Sequence, residues 1–321
     1  MPIRTQDTVK KLLFWWCALL VLCLSACPQD NADTKQSTHS ETAQENTTPL
    51  RLGFVPSENS AEIQRNAQPL VEQLSKELGR EVEAVMATDY TGLVEAFRNG
   101  SLDAAFLTPA SYVMAEQEAG VKVILRTQRG EIPFYYSVIF ARKDSNIKTL
   151  QDLKGKSVAF GDNLSTAGYI FPLKMFKSAG IDPQTDFENV LFSGGHDATV
   201  LAVYNKKVTA GATYANDKAG EDAAWKHILK PEQIKEIEVI QVSEPIPSDN
   251  ICVSKTLPED TVKKIQNFFL QMHTTEEGKK RLYDIYRIER FVTASDADYE
   301  GIREAFEDSG IHLKEEKKSK P

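Results

Sequence analysis

The chain is poor in cysteine, with only four among its 321 residues. Cys17 and Cys23 lie inside an apolar N-terminal run, and Cys27 follows that run after two small residues. The rest of the chain has only Cys252, in the apolar stretch 250–253, where a buried core thiol is expected. A single thiol forms neither an intramolecular disulfide nor a cysteine-based zinc site. We therefore expect a body that is held together by its hydrophobic core.

Strongly basic segments and the common catalytic motifs are missing as well. The formal net charge is −8 with the charges mixed along the chain, which excludes a basic stripe for nucleic acid. The sequence has no Walker A motif and no His-Glu-x-x-His pattern. A hydrolase triad could be drawn from Ser165, His196 and Asp217, but the Gly-x-Ser-x-Gly elbow is absent around Ser165. The sequence thus favours binding over catalysis, and we expect no metal and no cofactor.

The N-terminal segment has the pattern of an export signal. A basic start precedes an apolar run over residues 12–24, which is shorter than the about 20 residues of a membrane span. The sequence Leu-Ser-Ala-Cys at 24–27 resembles a bacterial lipobox, in which the cysteine is lipidated and becomes the mature N-terminus. An ordinary signal peptide cut nearby and an uncleaved anchor are the alternatives. We expect residues 1–26 to be a lipoprotein signal peptide and Cys27 to carry the lipid.

Composition then divides the remainder of the chain. Residues 27–49 contain almost nothing that could be buried, which predicts a disordered tether. The folded body is expected from residue 50 to 313, and residues 314–321 form a charged tail. A body of roughly 260 residues is large enough for two lobes.

Short apolar runs alternate with longer amphipathic segments across this body. Strands are predicted at 50–55, 81–87, 102–107, 121–126, 157–162, 187–192, 208–214, 237–243 and 251–254. Helices are predicted at 62–78, around 93–100, from 109, at 165–179, 196–205 and 216–227, and throughout the part from 258 onward. This alternation predicts an α/β fold in which mostly parallel sheets are flanked by helices.

The alternation runs in two series, which predicts two lobes. Lobe 1 should comprise residues 50–140 and 245–313, and lobe 2 residues 141–244, with extended crossovers near 133–144 and 237–250. Two lobes that are joined by two extended segments can hinge. In open α/β sheets, ligands bind beyond the carboxyl ends of the strands, so the loops at those ends should face each other across a cleft.

One of these loops ends in small hydroxyl residues directly before a helix. Ser165 and Thr166, followed by Ala167 and Gly168, should leave several backbone N–H groups free at the helix start, and such a site attracts anions. A lone serine or threonine there is usually no more than an N-cap. Because the chain is acidic overall, an anion site must be made by local donors.

Other polar side chains follow neighbouring strands. Tyr90 and Tyr112 come after the second and third strands of lobe 1, His196 follows a Gly-Gly turn, and Asp217 follows the strand at 208–214. Taken singly, each is an ordinary packing, surface or helix-end residue. Together, on loops that converge, they provide donors that suit a tetrahedral oxyanion.

Three motifs in combination resemble those of one family. They are LDAAFLTPASY, then SVAFGDNLSTAGYIFP with KSAGIDP behind it, and then FSGGHDATVLAV. They look like the phosphonate/phosphite/phosphate-binding family of ABC-transporter solute receptors, and the likeness covers residues 50–306. The resemblance implies a two-lobed periplasmic-binding-protein fold of type II.

The resemblance also implies ligand contacts, because in that family a Ser-Thr-Ser turn at a helix start grips the oxyanion with help from a histidine and from tyrosines of the other lobe. By motif, these contacts fall on Ser165, Thr166, His196, Tyr90 and Tyr112. The sequence departs at Ala167, which offers only its backbone N–H where many relatives have a third hydroxyl. Relatives for aminophosphonates place carboxylates near the amine of the ligand, and here Asp217 and Glu244 are the corresponding specificity candidates.

The function implied by the resemblance is that of an extracytoplasmic, lipid-anchored, monomeric binding protein. It would capture a phosphonate, phosphite or phosphate and deliver it to a membrane permease that is driven by a separate ATPase. A sensory receptor that feeds a membrane kinase or chemoreceptor is the alternative, and a phosphoester hydrolase is a third reading.

Overall fold

The structure is a computed structural model, and it describes residues 48–311. The predicted signal peptide, the lipidation site Cys27 and the predicted charged tail lie outside the described residues, as does most of the predicted tether. Within 48–311, no helix combines the length and the apolar character that crossing a membrane requires.

Strands and helices alternate along most of the described chain. The strands are β1 (Leu50–Phe54), β2 (Val82–Met86), β3 (Ala104–Leu107), β4 (Lys122–Gln128), β5 (Phe134–Arg142), β6 (Ser157–Phe160), β7 (Asn189–Phe192), β8 (Ala210–Ala215), β9 (Ile237–Val242), β10 (Ile246–Pro247), β11 (Asn250–Val253) and β12 (Arg290–Thr293). The α-helices are α1 (Ser60–Leu78), α2 (Tyr90–Arg98), α3 (Pro109–Ala119), α4 (Phe171–Ser178), α5 (Pro183–Asp186), α6 (His196–Tyr204), α7 (Trp225–Ile228), α8 (Pro231–Ile234), α9 (Glu259–Gln271), α10 (Glu276–Tyr286) and α11 (Glu300–Ser309).

The first sheet, which defines lobe 1, has the strand order β12-β4-β11-β3-β1-β2. β1 pairs in parallel with β2 and β3, whereas β11 returns to this sheet and pairs antiparallel with β3 and β4. The expected return of the chain near residues 251–254 is thereby confirmed. β12 is a strand where only helix was expected, because the run at 290–293 pairs antiparallel with β4 and Phe291 packs into the core.

The second sheet, which defines lobe 2, has the order β10-β5-β8-β6-β7, with β9 also paired to β5. β6 is parallel to β7 and β8, while β5 is antiparallel to β8, β9 and β10. Both sheets are therefore mixed, which corrects the expectation of mostly parallel pairing. Since β5 and β10 belong to this sheet, the chain passes between the lobes at 129–133 and at 248–249, in shorter segments than the sequence suggested.

The predicted helix at 216–227 is wrong, since only Trp225–Ile228 is helical there. The Asp217 carboxylate accepts hydrogen bonds from the amides of Glu221 and Asp222, at 3.1 Å for Glu221, which holds the segment in a turn. Gly220 has a φ of 75°, a conformation that glycine adopts without strain. A side-chain acceptor and a left-handed glycine outweigh the apolar spacing that favoured a helix.

Aromatic side chains fill the core of lobe 1. The rings of Phe54 and Phe106 stack with their centroids 5.1 Å apart, and the edge of Phe269 from α9 meets Phe106 at 5.6 Å. Cys252 of β11 is buried as a free thiol in a second core cluster, together with Ala105 and Tyr112, so the expected buried thiol is confirmed. The two clusters fix the carboxyl ends of β1, β3 and β4.

Candidate ligand-binding site

A cavity of about 50 Å³ lies where the loops of the two lobes meet. Lobe 1 lines it with Val55, Ser57, Glu58, Phe106, Leu107, Thr108, Thr127, Arg129, Tyr286, Arg287 and Ile288. Lobe 2 and the returning crossover line it with Tyr135, Ser165, Ala167, His196, Tyr214 and Asp249. Most of these residues follow the ends of strands, which is where the sequence analysis placed the ligand site.

Direct hydrogen bonds join the two lobes around this cavity. They run from the Thr108 hydroxyl to the Leu164 carbonyl (3.1 Å), from the Ala110 amide to the Thr166 hydroxyl (2.9 Å), from the Tyr90 amide to Asp162 (3.3 Å) and from the His196 amide to the Ser57 carbonyl (2.9 Å). The lobes are thus in a closed arrangement, and the cavity lies within it.

The helix start that follows β6 has two unpaired amides and reaches the cavity through Ala167. Residues Thr166–Ile170 form one turn of π-helix that leads into α4, and the Ser165 side chain caps it by accepting the Gly168 amide at 3.1 Å. The Thr166 and Ala167 amides have no acceptor among residues 48–311, and Ala167 lines the cavity. Unpaired amides at a helix start form a site for an anion.

Glycine is required at position 168 for this geometry. A Cβ atom there would lie 2.7 Å from Ser165 Oγ, which is closer than non-bonded atoms approach. The Gly168 carbonyl also accepts the Gly161 amide at 3.2 Å, so the strand end and the helix start touch. Two glycines therefore let the turn tighten around the Ser165 cap.

Neither Thr166 nor Tyr90 belongs to the residues that line the cavity. The Thr166 hydroxyl accepts the Ala110 amide at 2.9 Å, which ties the helix start to lobe 1. Tyr90 is 1% exposed, and burial raises the pKa of its phenol well above the ordinary value. The Tyr90 amide donates to Asp162 at 3.3 Å, so this residue also joins the two lobes.

The structure places three other sequence candidates away from the cavity. The Tyr112 hydroxyl donates to Asp296 at 2.6 Å, and its ring packs on Tyr299. Asp217 stabilises its own turn, as described above. Glu244 is exposed and pairs with Lys174 at 2.6 Å. None of the three belongs to the cavity lining, so the structure does not bring them to the other candidates.

His196 reaches the cavity from the first turn of α6 and is only 7% exposed. Its Nδ1 atom lies 2.9 Å from the Thr213 hydroxyl. Burial lowers the pKa of His196 to about 4, opposed by Glu58, so the ring is neutral at pH 7. When the Thr213 hydroxyl donates to Nδ1, the proton of the ring resides on Nε2, which then is a hydrogen-bond donor.

The cavity also contains two ion pairs that the sequence analysis missed. Arg287 binds Glu58 through two hydrogen bonds of 2.8 and 2.7 Å, and Arg129 lies 3.5 Å from Asp249. Burial by itself would raise the pKa of Glu58, but the bonds and charge of Arg287 outweigh it and leave the pKa below its ordinary value. The pKa of Asp249 is raised by burial, against the opposing effect of Arg129. Each cation neutralises one carboxylate.

Thr127, at the end of β4, is a further lining residue that the sequence analysis missed. It is 1% exposed, and its hydroxyl has no hydrogen-bond partner among the described residues. A buried hydroxyl without a partner is costly, so such groups usually serve a ligand or a water molecule. Polar residues at strand ends are expected to line the cleft, and Thr127 follows this expectation, but the strand predicted at 121–126 stops one residue before it.

The chain matches a known protein family over most of its length. The model of a family described as "ABC transporter, phosphonate, periplasmic substrate-binding protein" matches residues 52–299. The phosphate-import protein PhnD of Mycolicibacterium smegmatis is 32% identical over 313 residues, covering 91% of this chain and 94% of the relative. The phosphonates-binding periplasmic protein of Escherichia coli is 32% identical over 244 residues, covering 74% of this chain and 70% of the relative.

A solved structure shows the same architecture. The chain is similar to a binding protein component of an ABC phosphonate transporter from Pseudomonas aeruginosa, with a TM-score of 0.74 and 26% identity over 83% of this chain and 87% of that one. The predicted fold class, a two-lobed α/β fold of the type II periplasmic binding proteins, is confirmed.

The depressed pKa of His196 predicts a pH-dependent stability. Its pKa is about 4 when folded and 6.5 ordinarily, so the stabilisation from neutral His196 is complete above pH 6.5 and is lost as the pH falls towards 4. Between pH 7 and pH 5, we expect the ligand-free protein to lose about 2 kcal/mol of unfolding free energy from this residue. Urea denaturation at both pH values measures the loss, which His196→Asn should abolish.

His227 provides the comparison, because it is exposed and burial lowers its pKa less than that of His196. His227→Asn should therefore remove a smaller part of the difference between pH 7 and pH 5 than His196→Asn does. Equal pH dependence in the wild type and in His196→Asn would contradict the assignment of a neutral, buried His196.

Proposed function

The chain belongs to the family of periplasmic substrate-binding proteins of ABC phosphonate transporters, and from that membership we propose that it captures a small phosphorus oxyanion in the cavity between its lobes. The observation that carries the proposal is the pair of adjacent unpaired amides at Thr166 and Ala167, of which Ala167 lines the cavity. Phosphate, phosphite and simple phosphonates share the tetrahedral core that such donors suit.

Donors from both lobes converge on the cavity. Lobe 2 offers the helix-start amides, the Ser165 hydroxyl and His196 Nε2, and lobe 1 offers the unpaired Thr127 hydroxyl. Because these donors come from opposite walls, a bound oxyanion has its full set of hydrogen bonds only when the lobes are closed. The ligand thereby favours the closed form, which is how a binding protein of this kind reports occupancy.

The size and charge of the cavity support the same ligand class. A volume of about 50 Å³ corresponds to about four water molecules, which is close to the number of non-hydrogen atoms in phosphate, phosphite or methylphosphonate. Glu58 and Asp249 would repel an anion if they were unpaired, but Arg287 and Arg129 compensate them. The neutral hydrogen-bond donors then provide the attraction for the anion, in agreement with the local anion site expected in an acidic chain.

The chain is a binding protein and not an enzyme, as its family shows. Its place is extracytoplasmic, where the periplasmic receptors of ABC importers act. We propose further that Cys27 carries a lipid that anchors the protein to the membrane, and that the monomer hands its ligand to a permease driven by a separate ATPase. The export-signal pattern at the N-terminus and the lipobox-like sequence at 24–27 support the anchor.

Removing single donors tests the site. In isothermal titration calorimetry, we expect the wild type to bind at least one of phosphate, phosphite and methylphosphonate. Ser165→Ala and His196→Ala should each weaken the best ligand by about 1.5–3 kcal/mol, because each removes a hydrogen bond to a charged group. Affinity that is unchanged in both variants would falsify the site.

Tyr112→Phe is the matched control for these two variants. The Tyr112 hydroxyl donates to Asp296 outside the cavity, so its removal should leave the affinity within about 0.5 kcal/mol of the wild type. A loss as large as that of Ser165→Ala would mean that Tyr112 contacts the ligand, as the family resemblance implied.

Thr127→Val separates a role in binding from a role in folding. The substitution keeps the shape and removes a hydroxyl that has no partner in the protein, so the ligand-free protein should be as stable as the wild type or more stable. The affinity for the oxyanion should fall by about tenfold, the loss of roughly one hydrogen bond. Thermal unfolding without ligand, together with calorimetry, measures both effects, and unchanged affinity would remove Thr127 from the site.

A further inference from the structure

The ion pair of Glu58 and Arg287 separates the cavity from the outside. Both residues line the cavity, and both also line a groove of about 310 Å³ on the outer surface. The outer groove is bordered as well by polar residues of α1 and α10, among them Asn66, Tyr283 and Asp284. Of all residues that line the cavity, only this pair also lines the outer groove.

Several contacts hold the pair in this position. The two hydrogen bonds from Arg287 to Glu58 fix both planar groups, and the side chains are only 27% and 21% exposed. The Tyr214 hydroxyl donates to Glu58 Oε1 from lobe 2 at 3.3 Å, so the wall spans the two lobes. Arg287 ends α10 with a φ of 54°, in the left-handed region that an arginine rarely adopts. With this backbone conformation, α10 ends next to Glu58.

The pair is electrically neutral as a unit, so it adds little attraction for an anion. Its effect on a ligand is therefore steric. Beyond it, the outer groove has room for a substituent of several carbon atoms, whereas the cavity alone holds about as many atoms as a bare oxyanion.

We propose that the Glu58–Arg287 pair is the specificity determinant that restricts the ligand to phosphorus oxyanions whose phosphorus carries only hydrogen, hydroxyl or methyl. Removing both side chains joins the cavity to the outer groove and admits longer alkylphosphonates. This inference rests on the proposed function, because it assigns the ligand to the same cavity.

A series of n-alkylphosphonates from methyl to butyl tests the proposal by calorimetry. We expect the wild type to bind butylphosphonate about 100-fold more weakly than methylphosphonate, or not detectably. In the double variant Glu58→Ala/Arg287→Gly, this ratio should shrink to within about tenfold. Glycine suits the left-handed φ at position 287, and removing both charges together avoids a buried, unpaired carboxylate.

A second double variant, Glu58→Gln/Arg287→Met, keeps the bulk of the pair and removes its charge. It should discriminate against butylphosphonate as strongly as the wild type does, since the wall is retained. Discrimination that is lost equally in both double variants would overturn the steric role.

The wild type by itself also decides the matter, whether or not the variants fold. Binding of butylphosphonate as tight as that of methylphosphonate would overturn the proposal and leave the proposed function intact. Binding of no member of the series, and of neither phosphate nor phosphite, would contradict both.

Discussion

The cap that Ser165 places on the helix start is the contact on which the binding site depends. By accepting the Gly168 amide, it begins a turn of π-helix and leaves the amides of Thr166 and Ala167 unpaired, with Ala167 in the cavity lining. The turn closes only because position 168 has no side chain. Fixed amide dipoles need no reorganisation when an anion arrives, so a chain with a net charge of −8 still offers a local site for one.

The turn at 165–168 takes part both in the proposed ligand binding and in lobe closure. The Thr166 hydroxyl accepts the Ala110 amide of lobe 1, while the amides of Thr166 and Ala167 have no acceptor among residues 48–311. Hydrogen bonds between the lobes contribute about 1 kcal/mol each on balance, so a few of them hold closure near equilibrium. A ligand that bridges both walls can then shift that equilibrium by its own contacts, which is the working principle of a hinged receptor.

Much of the fold could be predicted from the sequence, because each strand is a short apolar run and each long helix has an apolar stripe. The helix-start site was predicted for a similar reason, since Ser165, Thr166 and Gly168 are neighbours in the chain and their chemistry is local. The ion pair could not be predicted. Glu58 and Arg287 are 229 positions apart, and only the pairing of α10 against the end of β1 brings them together.

Distance along the chain also explains the candidates that the structure placed elsewhere. Tyr112 has the right position after a strand, but its hydroxyl reaches Asp296, which lies 184 positions later in a segment that the motif does not include.

The wrong helix prediction at 216–227 has a different cause. Spacing of apolar residues favoured a helix there, and the Asp217 side chain together with Gly220 overrode it. Side-chain capping of the backbone therefore predicted the helix start at Ser165 correctly. Neglect of the same effect at Asp217 led to the wrong helix at 216–227.

The central claim, that helix-start amides hold the oxyanion, can be tested directly by nuclear magnetic resonance of the amide-labelled protein. On saturation with a phosphorus oxyanion that binds, the proton resonances of the Thr166 and Ala167 amides should move downfield by more than those of other residues in the lobe, because each amide gains a charged acceptor. Tight binding that leaves these two resonances in place would contradict the account.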